Sequence, residues 1–262
     1  MEKILRAIKK YLFKDTRYFL LYLYRYFQNN YHNNCKFYSK ADFLKFLESG
    51  KSIIRIGDGE IGILHYLPIG GYQKYSDEIR NDFLKIVKKY NDSSSYLLMI
   101  PLYVNQTNTE LKKAGRFQGY MPLKLTYEIL FNKKATYFDQ HAFYRDGGFK
   151  ELIVPYMKNK KVVIVTNKQN VEKIKNSKFS DKSYYYIECP NENAYEYRGK
   201  IQKDIVDLID KSGSPKNEFV VLMGAGLSKT IIYDMSKDGY QLLDIGKGLE
   251  SYYFEISVQH II

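Results

Sequence analysis

The chain has only two cysteines and four histidines among its 262 residues. Both scarcities close routes to function. Cys35 and Cys189 stand far apart without metal-ligand spacing, so neither a disulfide framework nor a zinc site is expected, and free thiols in a reducing compartment are the simplest reading. His32, His65, His141 and His260 show neither H-x-x-x-H nor H-E-x-x-H spacing, and none is assigned a catalytic role. No G-x-S-x-G elbow is present for serine-hydrolase chemistry, and no Walker spacing or third glycine supports an ATP or NAD site. The apolar and aromatic run Tyr18 to Tyr24 is too short to span a bilayer. Arg25, Tyr26, Phe27 and Gln28 follow it where a cleaved signal peptide would place small residues, so export is not expected. No internal repeat, long linker or low-complexity tract divides the chain.

What is present is enough for one large domain. Hydrophobic residues make up 45% of the sequence, which can bury an ordinary core without staples. The formal net charge of +12 favours phosphate-rich partners. Lys, Asn, Tyr, Ile and Phe are all abundant together, however, as an AT-rich genome would make them, so the placement of charge says more than its amount. Residues 1–30 carry seven Lys/Arg against Glu2 and Asp15, a local excess of +5. Ile4, Leu5, Ile8, Tyr11 and Leu12 fall on one helical face there. Two readings stay open for this segment: a helix on an anionic membrane surface, or a helix packed on the domain or on a second subunit. We divide the chain into this basic, aromatic helical segment, 1–36, and a catalytic domain, 37–262.

Within the domain, Ser39 and Asp42 form an S-x-x-D capping pattern for a helix that stops at Gly50. Beyond it, strands are expected at 52–56, 96–100, 135–138, 161–166, 183–187, 219–223 and 241–244. Helices are expected between them at 77–90, 122–130, 149–157, 168–176, 194–209 and 227–237. This alternation specifies a Rossmann-like α/β fold, a mostly parallel sheet with helices on both faces and ligands at the carboxyl ends of the strands. The stretch 101–121 reads as irregular, a mobile substrate loop.

Three strand ends carry matching features. Ile53 to Ile56 opens into Gly57-Asp58-Gly59-Glu60, whose glycines permit a tight turn and whose two carboxylates can face one hard cation, Mg²⁺ or Mn²⁺. An ordinary glycine turn with Glu60 starting a helix explains the same residues. The strand ending at Met223 runs into Gly224-Ala225-Gly226 and a helix, with Ser228 and Lys229 nearby, a start that suits a phosphate; a turn needing glycine for geometry alone is the competing reading. Asp244 and Gly246 end the last strand, with Lys247 and Glu250 after them. Ser76 caps the helix that begins at Asp77, which leaves Tyr72 and Gln73 to shape a pocket. Asn193 is an N-cap or a ligand contact, and Tyr195 is a candidate to stack on a base.

Taken in order, these pieces resemble the GT-D glycosyltransferases of bacterial glycan clusters. The resemblance rests on Arg55-Ile56-Gly57-Asp58-Gly59-Glu60, on Tyr72, Gln73 and Asp77, and on Ile100-Pro101. It continues through Cys189-Pro190 with Asn193-Ala194-Tyr195, the Gly224 to Gly226 turn, and Asp244-Ile245-Gly246. It implies a Rossmann-like domain, a UDP-sugar donor and a D-x-E metal motif at Asp58 and Glu60; on that reading Arg55 and the Gly224 to Gly226 turn are expected to position the diphosphate and Asp244 to contact the nucleotide or sugar. The family often has histidine where Lys247 stands, and 137–148 departs from its pattern, which bears on phosphate contacts and the acceptor. The expected reaction moves a hexose to a hydroxyl of a growing surface polysaccharide or glycoprotein glycan, with Asp77 or Glu250 taking the acceptor proton if the reaction inverts. The expected setting is cytoplasmic or peripheral on the inner membrane face, with a lipid-linked acceptor and a homo-oligomer among the partners considered. A non-catalytic scaffold of a polysaccharide assembly complex is the alternative. Nucleic-acid binding rests on charge alone and is set aside.

Overall fold

The computed structural model describes residues 16–143, 147–178, 181, 183–226, 228–246 and 248–254. The amphipathic stretch before Thr16, together with Lys247, lies outside them. Eight strands form one sheet: β1 (Lys36–Phe37), β2 (Ser52–Arg55), β3 (Tyr96–Ile100), β4 (Thr136–Asp139), β5 (Lys161–Thr166), β6 (Tyr185–Glu188), β7 (Phe219–Met223) and β8 (Leu242–Asp244). Their order is β1-β4-β3-β2-β8-β7-β5-β6, and every pairing is parallel.

The apolar runs of β3, β5 and β7 follow from burial on both faces. Alternate residues point to opposite sides: Ile54, Leu98, Val163 and Val221 enter one core, while Ile53, Leu97, Ile164 and Leu222 enter the other. Each such side chain contributes on the order of 2 kcal/mol by leaving water, so both layers are needed to hold the sheet.

The first core is covered by α1 (Thr16–Tyr26), α3 (Asp58–Leu64), α4 (Asp77–Lys89), α5 (Asn108–Lys113), α6 (Phe117–Leu130), α9 (Arg198–Lys211) and α10 (Ser228–Met235). The second is covered by α2 (Lys40–Glu48), the π turn Phe149–Ile153 with α7 (Val154–Met157), α8 (Lys168–Lys175) and α11 (Gly248–Tyr253). Thus the chain leaving β2 turns to one face and the chain leaving the adjacent β8 turns to the other. That divergence opens a crevice at the carboxyl ends of β2 and β8, the position where such sheets hold ligands.

The expected strands appear, β3, β5 and β7 with the limits read from sequence, and β1 is an addition too short to show a pattern. Stretch 101–121 is not irregular. It holds a 3-10 turn, Leu102–Asn105, then α5, whose start is fixed by a Thr107/Glu110 capping box, and the first turn of α6. Helix α6 also begins before Pro122, which is buried and accepts a hydrogen bond from Tyr18 Oη on its carbonyl at 2.5 Å. The fully buried Lys124 ties this region together by donating to Tyr31 O (2.9 Å), Gln106 O (2.6 Å) and Asn108 Oδ1 (3.2 Å), while burial pulls its pKa down to about 8.

Helix α1 packs on α6 through Tyr18, Tyr22 and an Arg25–Glu128 ion pair of 2.5 Å. Its Leu20, Tyr24 and the following Phe27 remain exposed. Within the described residues, this segment therefore packs on the domain along one side and presents an apolar surface along another. No helix of the described residues is long and apolar enough to cross a membrane.

Candidate active site

The crevice holds a cavity of about 270 Å³, walled by the loops after β2, β5, β6, β7 and β8. At its floor sits a cluster of four charged side chains. Asp244, 1% exposed, receives Arg55 N (3.3 Å) and Arg55 Nε (3.4 Å) on separate oxygens, and its Oδ1 also accepts from Gly246 N at 3.2 Å. Lys229, 4% exposed, places Nζ 2.8 Å from Glu60 Oε1 and 3.2 Å from Asp244 Oδ2, and donates to Gly226 O at 3.1 Å.

Desolvation opposes charge on both buried partners, but the pairing outweighs it. The Lys229 ammonium is held above its ordinary pKa by Asp244 and Glu60, and the Asp244 carboxyl below its ordinary pKa by Lys229 and Arg55. Lys229 and Asp244 are therefore both charged near neutrality. Such a cluster is costly to build and is weak evidence for stability alone, so its place at the sheet's switch point argues for a function.

Glu60 occupies the first turn of α3, where Gly57 N–H donates to its Oε2 at 2.8 Å. It is thus both a helix-capping carboxylate and a cavity wall. Asp58, at the start of the same helix, reaches solvent and accepts from Tyr103 Oη at 3.2 Å. Crowding by protein raises its pKa, the Glu60 charge raises it further, and Tyr103 and His141 pull the other way. The two carboxylates therefore sense each other, although Glu60 walls the cavity and Asp58 stands beside it. Tyr103 is braced by Tyr120, the rings stacked 3.8 Å apart and nearly parallel. Next to Asp58, His141 Nδ1 lies 3.3 Å from Asp139 Oδ1.

The sequence candidates divide into two groups. Arg55, Glu60, Tyr72, Gln73, Gly224, Ala225, Gly226, Asp244, Gly246 and Glu250 all line the cavity. Gly57, Asp58, Gly59, Asp77, Asn193 and Tyr195 do not. Asp77 accepts from Tyr75 Oη at the start of α4, away from the cavity wall. Asn193 takes a left-handed backbone (φ 52°), donates N–H to Tyr72 O at 2.7 Å and accepts from Lys74 N at 3.0 Å. It pins the Tyr72 loop and makes no side-chain helix cap. Tyr195 is buried, with its hydroxyl on Asp82 (2.6 Å) and the Arg198 guanidinium 4.1 Å from its ring centroid, which covers a face of the ring that is a candidate for base stacking. The wall also includes Asn167, Asn170 and Asn191, which the sequence reading passed over, and Lys229, which it noted only as a neighbour of the glycine turn.

The glycines serve distinct needs. A Cβ on Gly224 would lie 2.7 Å from Leu249 Cδ1, so that position is set by packing, whereas Gly226 has open space and faces the cavity. A Cβ on Gly246 would fall 1.9 Å from Arg55 Nη2, and its φ of +46° is one that L side chains rarely adopt.

A second cavity, about 250 Å³, opens at the amino ends of β1 and β4, lined by Arg25, Tyr31, Cys35, Glu128 and Tyr137. Its Arg25 is already paired with Glu128, and it lies at the end of the sheet opposite to the usual ligand position.

With this fold and site described, the chain belongs to the glycosyltransferases of GT-D fold, whose family model matches residues 53–260. It is similar to the "Probable glycosyl transferase Gly" of Streptococcus gordonii, 22% identical over 228 residues. That alignment covers 82% of this chain and 32% of the relative, so the chain spans about a third of the relative's length. Among solved structures, a glycosyltransferase of domain of unknown function 1792 from Streptococcus sanguinis superposes with a TM-score of 0.65 at 18% identity, covering 87% of this chain and 88% of that one. Another structure of that domain, described as having a distinct glycosyltransferase fold, superposes with a TM-score of 0.61 at 19% identity over 94% and 88%.

Proposed function

We propose that this glycosyltransferase moves a hexose from a UDP-sugar to a hydroxyl of a growing surface polysaccharide or glycoprotein glycan, with Mn²⁺ or Mg²⁺ at Asp58 and Glu60. The observation that carries this reading is the buried Arg55–Asp244–Lys229–Glu60 cluster beside the Gly224 to Gly226 turn. Together they bring Arg55, Lys229 and the backbone of the turn to the carboxyl ends of β2, β7 and β8, where a diphosphate would lie and where Lys229 could meet it by giving up one present partner.

The residues fit a divalent ion of this kind. Asp58 and Glu60 sit on one helical turn; burial raises the Asp58 carboxyl first and the Glu60 charge adds to it, a burden that a cation would relieve. Mg²⁺ and Mn²⁺ accept one or two carboxylates when substrate phosphates and water complete the shell. Among the described residues no three His, Cys, Asp or Glu side chains form a group able to hold a metal ion, so the protein's own share is this pair. When bound, the ion would neutralise charge on the departing diphosphate.

The chain's own groups take the remaining tasks. Asp244 fixes Arg55 and Lys229 toward the diphosphate, a supporting role in place of direct nucleotide contact. Tyr72 and Gln73 close one wall, and Asn193 and Tyr195 hold that wall in place from behind. If the reaction inverts, Glu250, which lines the cavity, is the candidate to take the acceptor proton in preference to Asp77, which does not line it.

Isothermal titration of UDP, GDP, ADP and CMP with and without Mn²⁺ tests the donor assignment. UDP should bind at least tenfold tighter than the others, and only with the metal. A folded protein that binds none of them would favour a non-catalytic scaffold.

A further inference from the structure

An ammonium has three protons, and in Lys229 all three have acceptors: Glu60 Oε1, Asp244 Oδ2 and Gly226 O. None is left for a phosphate in this arrangement, although Lys229 bonds the glycine turn and lines the cavity. Binding a diphosphate through Lys229 therefore requires one partner to be released. Asp244 cannot easily shift, being buried and held by Arg55 N, Arg55 Nε and Gly246 N. Gly226 O belongs to the turn itself. Glu60 is the partner with an alternative, because its other oxygen is anchored by Gly57 N–H and its first can exchange one cation for another.

Resting on the donor reading above, we propose that Lys229 is a resident phosphate-binding cation that keeps Glu60 closed to a divalent ion until a nucleoside diphosphate arrives, so that metal and nucleotide enter together. A divalent ion on Glu60 Oε1 would face an ammonium already 2.8 Å from that oxygen, in a buried site where like charges repel strongly. A diphosphate supplies both what Lys229 needs in exchange for Glu60 and the oxygens a two-carboxylate ion site lacks. Lys229 thereby suppresses the weak binding that two carboxylates and water could give the ion alone, and frees Glu60 only when the donor arrives.

The test measures free Mn²⁺ by electron paramagnetic resonance with wild type and Lys229→Met, each with and without UDP. Wild type without UDP should bind Mn²⁺ at least tenfold more weakly than Lys229→Met, and UDP should strengthen Mn²⁺ binding at least tenfold more in wild type than in the variant. Equal Mn²⁺ affinity of the two proteins without nucleotide overturns the inference while leaving the donor reading intact. If wild type fails to bind UDP at all, the donor reading falls and this inference with it. Because Lys229→Met leaves Glu60 and Asp244 facing each other, a second measurement uses the wild type alone. The ¹⁵N ammonium signal of Lys229, assigned by its loss in Lys229→Arg, should stay in place on adding Mg²⁺ and move on adding UDP. A shift with Mg²⁺ alone overturns the proposal.

Discussion

Glu60→Gln is expected to lower UDP release from the donor sugar by about three orders of magnitude in a protein that still folds. The substitution keeps the shape of a side chain whose two oxygens have separate duties, one accepting Gly57 N–H and the other facing Lys229. An amide can serve one of these. If its oxygen stays on Gly57 N–H, its NH₂ meets the Lys229 ammonium, and two donors oppose each other in a buried space. If it flips, α3 loses the carboxylate cap at its first turn. Either way the ion site loses one of its two carboxylates. Several kcal/mol of transition-state stabilisation are at stake, and each ~1.4 kcal/mol is a factor of ten in rate. Stability should fall by about 3 kcal/mol or less, because Asp244 still balances Lys229. Steady-state assay of UDP release together with thermal denaturation separates the two effects. Activity within threefold of wild type would remove Glu60 from the chemistry.

Gly246→Ala is expected to weaken UDP binding at least tenfold and to lower stability by about 2 kcal/mol, equivalent to roughly 5 °C for a chain of this size. The new methyl group would coincide with the Arg55 guanidinium, 1.9 Å from Nη2 and 2.3 Å from Cζ. Arg55 can yield only by leaving Asp244 Oδ1 and Gln140 O, which it reaches at 3.4 Å each. The backbone adds a further ~1 kcal/mol for alanine at positive φ. Gly50→Ala is the matched control, since Gly50 also has positive φ (+77°) but open space around it and lies outside the cavity. It should show the backbone cost and leave UDP affinity unchanged. Equal UDP affinity in Gly246→Ala and wild type would mean that Arg55 does not help bind the donor.

Much of this architecture was legible from local pattern, and what was missed was either disguised locally or set by distant contacts. Strands β3, β5 and β7 could be read to the residue because burial on both faces writes an unbroken apolar run. The Ser39/Asp42 capping box marked the start of α2 and Gly50, at positive φ, its end. The equivalent Thr107/Glu110 box was just as visible in the sequence, but the surrounding polar residues disguised a short helix as loop. The π turn at Phe149–Ile153 has no local signature that separates it from an α-helix.

The site shows the same division. Strand ends rich in glycine and acid pointed to Arg55, Glu60, Gly226 and Asp244, because a parallel sheet gathers its carboxyl ends on one edge. Lys229 was harder to read. A lysine on a helix is ordinarily a solvated side chain, and only the folded arrangement brings Glu60 and Asp244 to it from distant parts of the chain. Tyr195 shows the converse: a ring that the sequence offers for stacking is buried in the fold, its hydroxyl on Asp82 and its face under Arg198.

A crystal structure of the full chain with UDP and Mn²⁺ would locate the donor directly. The arrangement described here requires the diphosphate within hydrogen-bond reach of Lys229 Nζ and the Gly224 to Gly226 turn, with the metal on Asp58 and Glu60. A nucleotide seated instead in the cavity beside Arg25 and Glu128, or one bound with Lys229 still on Glu60, would contradict it.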